Sequence, residues 1–248
     1  MDVRWGYLTR EEIKEALFRC PVVVLPVGSC EQHGPHLPVD TDTYDAERAA
    51  IEAAEQISPP PLVLPAVPYG VSEHHMSFGG TITLKPETLL NVVLDVAESA
   101  VRHGAKAVVI VNGHGGNSPV LAIAAQKIRH NLGVACLIED CGAVAEDTRK
   151  KLFPQPYDVH AGEFETSVAL AIRADAVRRD AIPTPCGVRR PFKAPPKVTV
   201  GFRMEDMTSN GVLGDATKAD AERGKRFWQA EIDGLKKLLE SVIAELRA

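Results

Sequence analysis

The chain has 248 residues, with 28 basic against 33 acidic side chains and a net charge of -5; this length buries a sizeable core and fits one α/β domain spanning 1–248. The weakly acidic balance offers no basic stripe to neutralise a phosphate backbone, so nucleic acid is excluded as the expected partner. No apolar run reaches the roughly 18 residues of a membrane span, and "MDVRWGYLTREEIKEALFRC" turns charged too soon for a signal-peptide core, which makes a cytoplasmic, membrane-free protein the expectation.

The first patterned element is "PVVVLPV" at 21–27, a valine-rich apolar run between prolines that suits a strand buried on both faces. It delivers the chain into "GSCEQHGPHLPVDTD" at 28–42, where two histidines, a glutamate and two aspartates crowd together. From Thr43, "TYDAERAAIEAAEQI" has helical spacing, with Thr41, Asp42 or Thr43 available as N-cap. "PLVLPAV" then reads as strand, "KPETLLNVVLDVAESAVRHG" as helix with Pro86 in its first turn and Gly104 closing it, and "AKAVVIVNG" as a second buried strand. "NSPVLAIAAQKIRHNLG" is a helix ending at Gly133, "VACLIED" a strand and "AGEFETSVALAIRAD" a helix. Residues 183–203, rich in proline, read as a long surface excursion. "DATKADAERGKRFWQAEIDGLKKLLESVIAEL" is a long amphipathic helix interrupted early by Gly224. Strands alternating with helices imply βαβ units around a mainly parallel sheet.

The cysteines (Cys20, Cys30, Cys136, Cys141, Cys186) are odd in number, scattered and without a CxxC pair, which argues against a disulfide framework or a thiolate zinc site. Cys30, beside the polar cluster, reads as a small buried filler, since a reactive thiol needs an activating environment.

Ligands of open parallel sheets sit beyond the carboxyl ends of the strands. Three loops expected on that edge carry polar chemistry: Glu31, His33, His36, Asp40 and Asp42 after the first strand, His114 in "NGHGGN", and His160, Glu163 and Glu165 in "DVHAGEFETS". Pro35 and Pro38 oppose helix, and an extended backbone turns Glu31 and His33 to one side, with Asp42 able to return to the same point. Such a mixed oxygen and nitrogen set suits zinc, manganese or iron. Each loop also has a bland reading: a solvated turn capped by Asp42, or a tight turn whose glycines supply positive φ. The coincidence of three clusters on one edge is what points to metal.

"GSCEQHGPHLPVDTDTYDAE", "VPYGVSEHHMSFGGTITL", "VVIVNGHGGN" and "HAGEFETS", with the late "TSNGVLGDATKADAERGK", resemble in order and spacing the motifs of the creatininase family of metal-dependent amidohydrolases. The resemblance covers roughly residues 5 to 230. It implies a three-layer α/β/α fold with a mainly parallel central sheet, two divalent ions per subunit (Zn, Mn or Fe), a small-molecule substrate and a homo-oligomer, often a hexamer. Carried over by position, Glu31 and His114 hold one ion, His33 the other, and Asp42 bridges them. His160 matches the proton-transfer histidine; Glu165 falls beside the metals, as ligand or support. His75 lies where the family places a histidine near substrate, while His74 is incidental. Gly115 and Gly116 let backbone approach the substrate, and Asn112 and Asn117 orient it or close the turn.

This chain also departs from the creatinine-hydrolysing members. It has Gly116 where they carry a glutamate ligand, and Gly79 where "FPGT" has proline. Its tryptophans are Trp5 and Trp228, so "KLFPQPYDVH" offers Phe153 and Tyr157 in place of the tryptophans that cover creatinine. The resemblance therefore implies hydrolysis of a carbon–nitrogen bond in a small cyclic amide or formamide other than creatinine. The alternative is a peptidase trimming a small peptide during redox-cofactor (mycofactocin-type) maturation, and some relatives act on ring carbon–carbon bonds of cyclic ketones. A non-catalytic metal-binding protein predicts a lost ligand, yet Glu31, His33, Asp42, His114 and His160 are all present. A dinucleotide site fails because "GHGGN" lacks the GxGxxG spacing.

Overall fold

The computed structural model describes residues 2–140, 142–187, 189 and 200–248, so the middle of the proline-rich excursion, and Cys141, lie outside the described residues. Four parallel strands, β1 (Val22–Val27), β2 (Leu62–Val63), β3 (Ala107–Asn112) and β4 (Ala135–Asp140), form one sheet in the order β2-β1-β3-β4. Each residue of β3 is matched in register, Ala107 to Val22 through Asn112 to Val27 on one side and Ala107 to Ala135 on the other.

Strand alternation divides the core in two. Val22, Val24, Val109 and Val111 face one packed layer with Ala46, Ala50, Phe227 and Leu235, from α2 (Thr41–Ala54) and α8 (Ala221–Glu245). Val23, Leu25, Val108 and Ile110 face the other, with Leu17, Leu89, Val93 and Leu121, from α1 (Arg10–Arg19), α3 (Pro86–Arg102) and α4 (Ser118–Leu132). Both faces being covered is what lets the central strands be uniformly apolar. The architecture is the predicted three-layer α/β one. Among the described residues no helix is long and apolar enough to cross a membrane.

Several boundaries differ from the sequence reading. The strand expected over 61–67 shrinks to Leu62–Val63; Pro65 has no N–H to give the ladder, and pairing resumes only as a bridge between Val27 and Val67. The helix α1, not read from the sequence, is held by a capping box between Thr9 and Glu12. The helix read from Ala161 runs as α6 (Glu163–Ile172). Two shorter helices, α5 (Glu146–Leu152) and α7 (Met204–Met207), complete the set.

Gly224 does not interrupt the last helix: α8 is continuous from Ala221, where the Asp220 side chain accepts from the Arg223 N–H at 2.7 Å. The glycine is a crossing point, since a Cβ there would stand 1.9 Å from the Ser167 carbonyl oxygen of α6. Gly224→Ala is expected to force the two helices apart at a cost of about 2–3 kcal/mol, read as a lower urea midpoint with unchanged slope.

Candidate metal centre

The strand order places a topological switch point between the carboxyl ends of β1 and β3, where parallel sheets bind ligands. Both ends open into polar loops here. After β1 the chain runs extended through Glu31 and His33 and returns as α2, whose first turn carries Asp42. After β3 comes His114, in extended conformation, and from the far side comes the segment before α6. There Ala161 is buried with φ 50, a left-handed turn that is strained for alanine. It sets His160 and Glu165 on the same side, its own N–H donating to Glu165 Oε2 at 2.5 Å. His160 is pinned by a two-way backbone bridge to Leu213, which gives the late "TSNGVLGD" segment its place in the site.

Glu31, His33, Asp42, His114 and His160 converge and are all nearly inaccessible to solvent. Asp42 divides its oxygens: Oδ1 stands 3.1 Å from His33 Nε2 and Oδ2 3.4 Å from His114 Nδ1. Glu31 Oε2 is 3.1 Å from His114 Nδ1, and Glu165 Oε2 is 3.7 Å from His33 Nε2. Three groups of donor atoms are close enough to share an ion: Glu31, Asp42 and His114; His33, His160 and Glu165; and Glu31, His75 and His160.

Backbone carbonyls orient the histidines, as the partners of metal-ligating imidazoles do. His33 Nδ1 donates to the Glu31 carbonyl at 3.2 Å and His114 Nε2 to the Val71 carbonyl at 3.1 Å. The nitrogens left to ligate are therefore His33 Nε2 and His114 Nδ1, those facing Asp42. His33 Nε2 and Asp42 Oδ2 are buried without a hydrogen-bond partner, which native interiors rarely tolerate and which a cation at each would relieve. The residues present thus fit a pair of ions.

The electrostatics make the same demand. Burial alone would lower His114, but the Asp42 and Glu31 carboxylates beside it outweigh that and raise the imidazole to about 10; His33 is likewise raised by Asp42 against its burial. Glu165 is pushed up to about 7 by burial and the nearby Asp42. The carboxylates therefore call for positive charge in the space they share.

Gly116, where the creatinine-hydrolysing members carry a glutamate, has no room for a side chain: a Cβ would lie 2.3 Å from His114 Nε2 and 2.4 Å from the Val71 carbonyl. Glu165 stands on the other side of the centre, toward His33. Gly115 would meet nothing within 4 Å, so open space faces it. Both glycines, with His75, line a cavity of about 670 Å³ that also contains Glu31, Asp42, His114, His160 and Glu165.

Other residues fall elsewhere. Tyr157 is 49% exposed and outside that lining, where its neighbours Asp158 and Val159 stand instead. Phe153 is buried against Phe164, with ring centroids 5.3 Å apart. His36 bonds Thr166 Oγ1 at 2.8 Å, and Asp40 pairs with Arg173 at 2.7 Å. Asn112 and Asn117 close the turn, donating to the carbonyls of His114 and Gly28. Cys30 is half-buried, and burial pushes its thiol up, away from reactivity. Glu163 turns from the centre to pair with Arg223.

Three residues, Ser29, Ser72 and Gln32, escaped the sequence reading, and His74, read there as incidental, belongs to the site. Ser29 and Ser72 donate to Glu31 Oε2 at 3.0 and 2.6 Å. His74 stacks on His114 with ring centroids 5.6 Å apart and lines the cavity. Gln32 sits between His75 and His160. Of the three that escaped, Gln32 had a local signal, its place between two ligand candidates.

Comparison with known proteins agrees with this geometry. A family model described as "Creatininase: Creatinine amidohydrolase" matches residues 6–239. A mycofactocin precursor peptide peptidase of Mycolicibacterium smegmatis is 36% identical over 86% of this chain and 82% of its own. A creatinine amidohydrolase of Pseudomonas putida is 28% identical over 86% of each. A solved structure described as "Creatininase Mn" superposes with a TM-score of 0.84 at 27% identity, covering 98% of this chain and 99% of that one. With four motifs assembled at one sheet edge and that agreement along the chain, the protein belongs to the creatininase family and is a hydrolase of the carbon–nitrogen bond.

Proposed function

We propose that this hydrolase cleaves an amide bond in a peptide-derived substrate larger than creatinine, with two divalent ions as cofactor. Glu31, Asp42 and His114 would hold one ion, and His33, Asp42 and Glu165 the other. The observation that carries the metal reading is Asp42, which splits its two oxygens between two histidines whose remaining nitrogens are already committed to backbone carbonyls. When bound, such ions acidify water toward neutral pH and polarise the scissile carbonyl.

The chain's own groups supply the rest. His160 Nε2 donates to the Gln32 carbonyl at 2.7 Å, so Nδ1 is the atom that takes a proton and returns it to the departing nitrogen. Burial holds this imidazole well below its ordinary value, so it stands neutral at rest with Nδ1 bare. Glu165, bonded to the Ala161 N–H, is held facing His33.

Cavity size favours the larger substrate class. Cavities of roughly 300–1,000 Å³ accept drug-sized ligands, and the 670 Å³ here extends past the centre to Phe164, Trp228, Asp45 and Glu231. That space, with the 36% identity to a peptide peptidase against 28% to a creatinine amidohydrolase, reverses the order drawn from motifs, which favoured a small cyclic amide or formamide. Protein purified with zinc, manganese or iron should carry about two ions per chain and cleave short modified peptides faster than cyclic amides or formamides. Less than one ion per chain, or turnover only of the small amides, overturns this reading.

A further inference from the structure

His75 differs from the other histidines of the centre, and the difference is set by Gln32. The orientation of the Gln32 amide is settled by two backbone groups of fixed polarity: Oε1 accepts from the Gly34 N–H at 2.9 Å, and Nε2 donates to the Gly211 carbonyl at 3.0 Å. An amide nitrogen has two hydrogens. The second points to His75 Nδ1, 3.0 Å away, because the other near atom, His160 Nε2 at 3.1 Å, is itself a donor. That nitrogen lies 2.7 Å from the Gln32 carbonyl oxygen, a distance at which two lone pairs would repel.

His75 Nδ1 must therefore accept, and its proton sits on Nε2. That atom faces the centre, 3.5 Å from Glu31 Oε1. His33, His114 and His160 show the opposite arrangement, each giving its outward N–H to a backbone carbonyl and turning a bare nitrogen inward. A nitrogen bearing its proton cannot ligate a metal.

We infer that Gln32 is a positioning residue that fixes His75 as a neutral Nε2–H donor at the centre, where it hydrogen-bonds the oxygen that gains negative charge during hydrolysis. Two consequences follow. The group Glu31, His75 and His160 is not a third ion site, and the imidazole spends its inward atom on an oxyanion, as a preorganised donor should. The donor role rests on the hydrolytic reading above; the tautomer does not.

The test uses metal-loaded protein. Nitrogen NMR of ¹⁵N-histidine-labelled chain should show His75 protonated at Nε2 and bare at Nδ1, and Gln32→Glu, whose carboxylate only accepts, should reverse that tautomer. A side-chain amide mimics an Nε2–H donor, so His75→Gln should retain most of kcat. His75→Ala should lose about 10²–10³-fold in kcat, the range for one oxyanion donor, with metal content and KM little changed. This pair keeps the test open if a carboxylate facing the Gly211 carbonyl unseats its loop. A bare Nε2, an ion lost with His75→Ala, or equal kcat in both His75 variants overturns the inference. A correct tautomer with no peptide turned over would instead count against the proposed substrate.

Discussion

Asp42→Ala is expected to empty both proposed ion positions at once, with metal content falling from the proposed two ions to below about one per chain and turnover lost with it. No other candidate ligand has this reach. Asp42 Oδ1 faces His33 and Oδ2 faces His114, so one truncation opens both donor sets. Supporting residues around metals are worth roughly 10–100-fold in affinity, and a carboxylate shared by two ions should exceed that. Losing Glu165 should weaken only the His33 side. Elemental analysis after dialysis, with circular dichroism to show that the chain remains folded, checks the outcome; retention of both ions would show that Asp42 is a helix-entry residue and nothing more.

His160→Ala should separate chemistry from binding. Turnover is expected to fall by about 10²–10⁴-fold, the range for loss of a positioned proton-transfer group, while both ions stay. The reason is the tether: His160 Nε2 is engaged by the Gln32 carbonyl, and Nδ1 lies 3.7 Å from Glu31 Oε1, beside the ion positions and available to a substrate nitrogen. The second donor group, His33, His160 and Glu165, offers the competing assignment. Loss of one ion in the variant would establish His160 as a ligand, and kcat measured at saturating metal distinguishes the two. The Gly224→Ala and His75 experiments are independent of this pair, because they probe helix packing and donor geometry.

Much of the fold was legible because its signals are local. "VVVLPV" and "AVVIVN" read as buried strands and are so, and the alternation of strand and helix implied crossovers and hence a parallel sheet. Ends and breaks were less legible, since they depend on neighbours. Gly224 looks like a breaker along the chain, yet Ser167 of another helix approaches there and a glycine is the residue that permits it.

The site divides in the same way. The residue types were determined by the sequence alone: Glu31, His33, Asp42, His114 and His160 were candidates from spacing and motif, since strand ends deliver loops to a common edge whatever the details. Only the tertiary structure decided what each atom does. Protons on four histidines are allotted by the carbonyls of Glu31, Val71 and Gln32 and by the Gln32 amide, groups brought together across as many as 179 positions in the case of Gln32 and Gly211. Sequence spacing carries no record of which nitrogen meets a carbonyl, because that choice is made by packing between distant segments. The same packing sets Tyr157 outside the cavity lining, places His74 on it, and turns Glu165 toward His33.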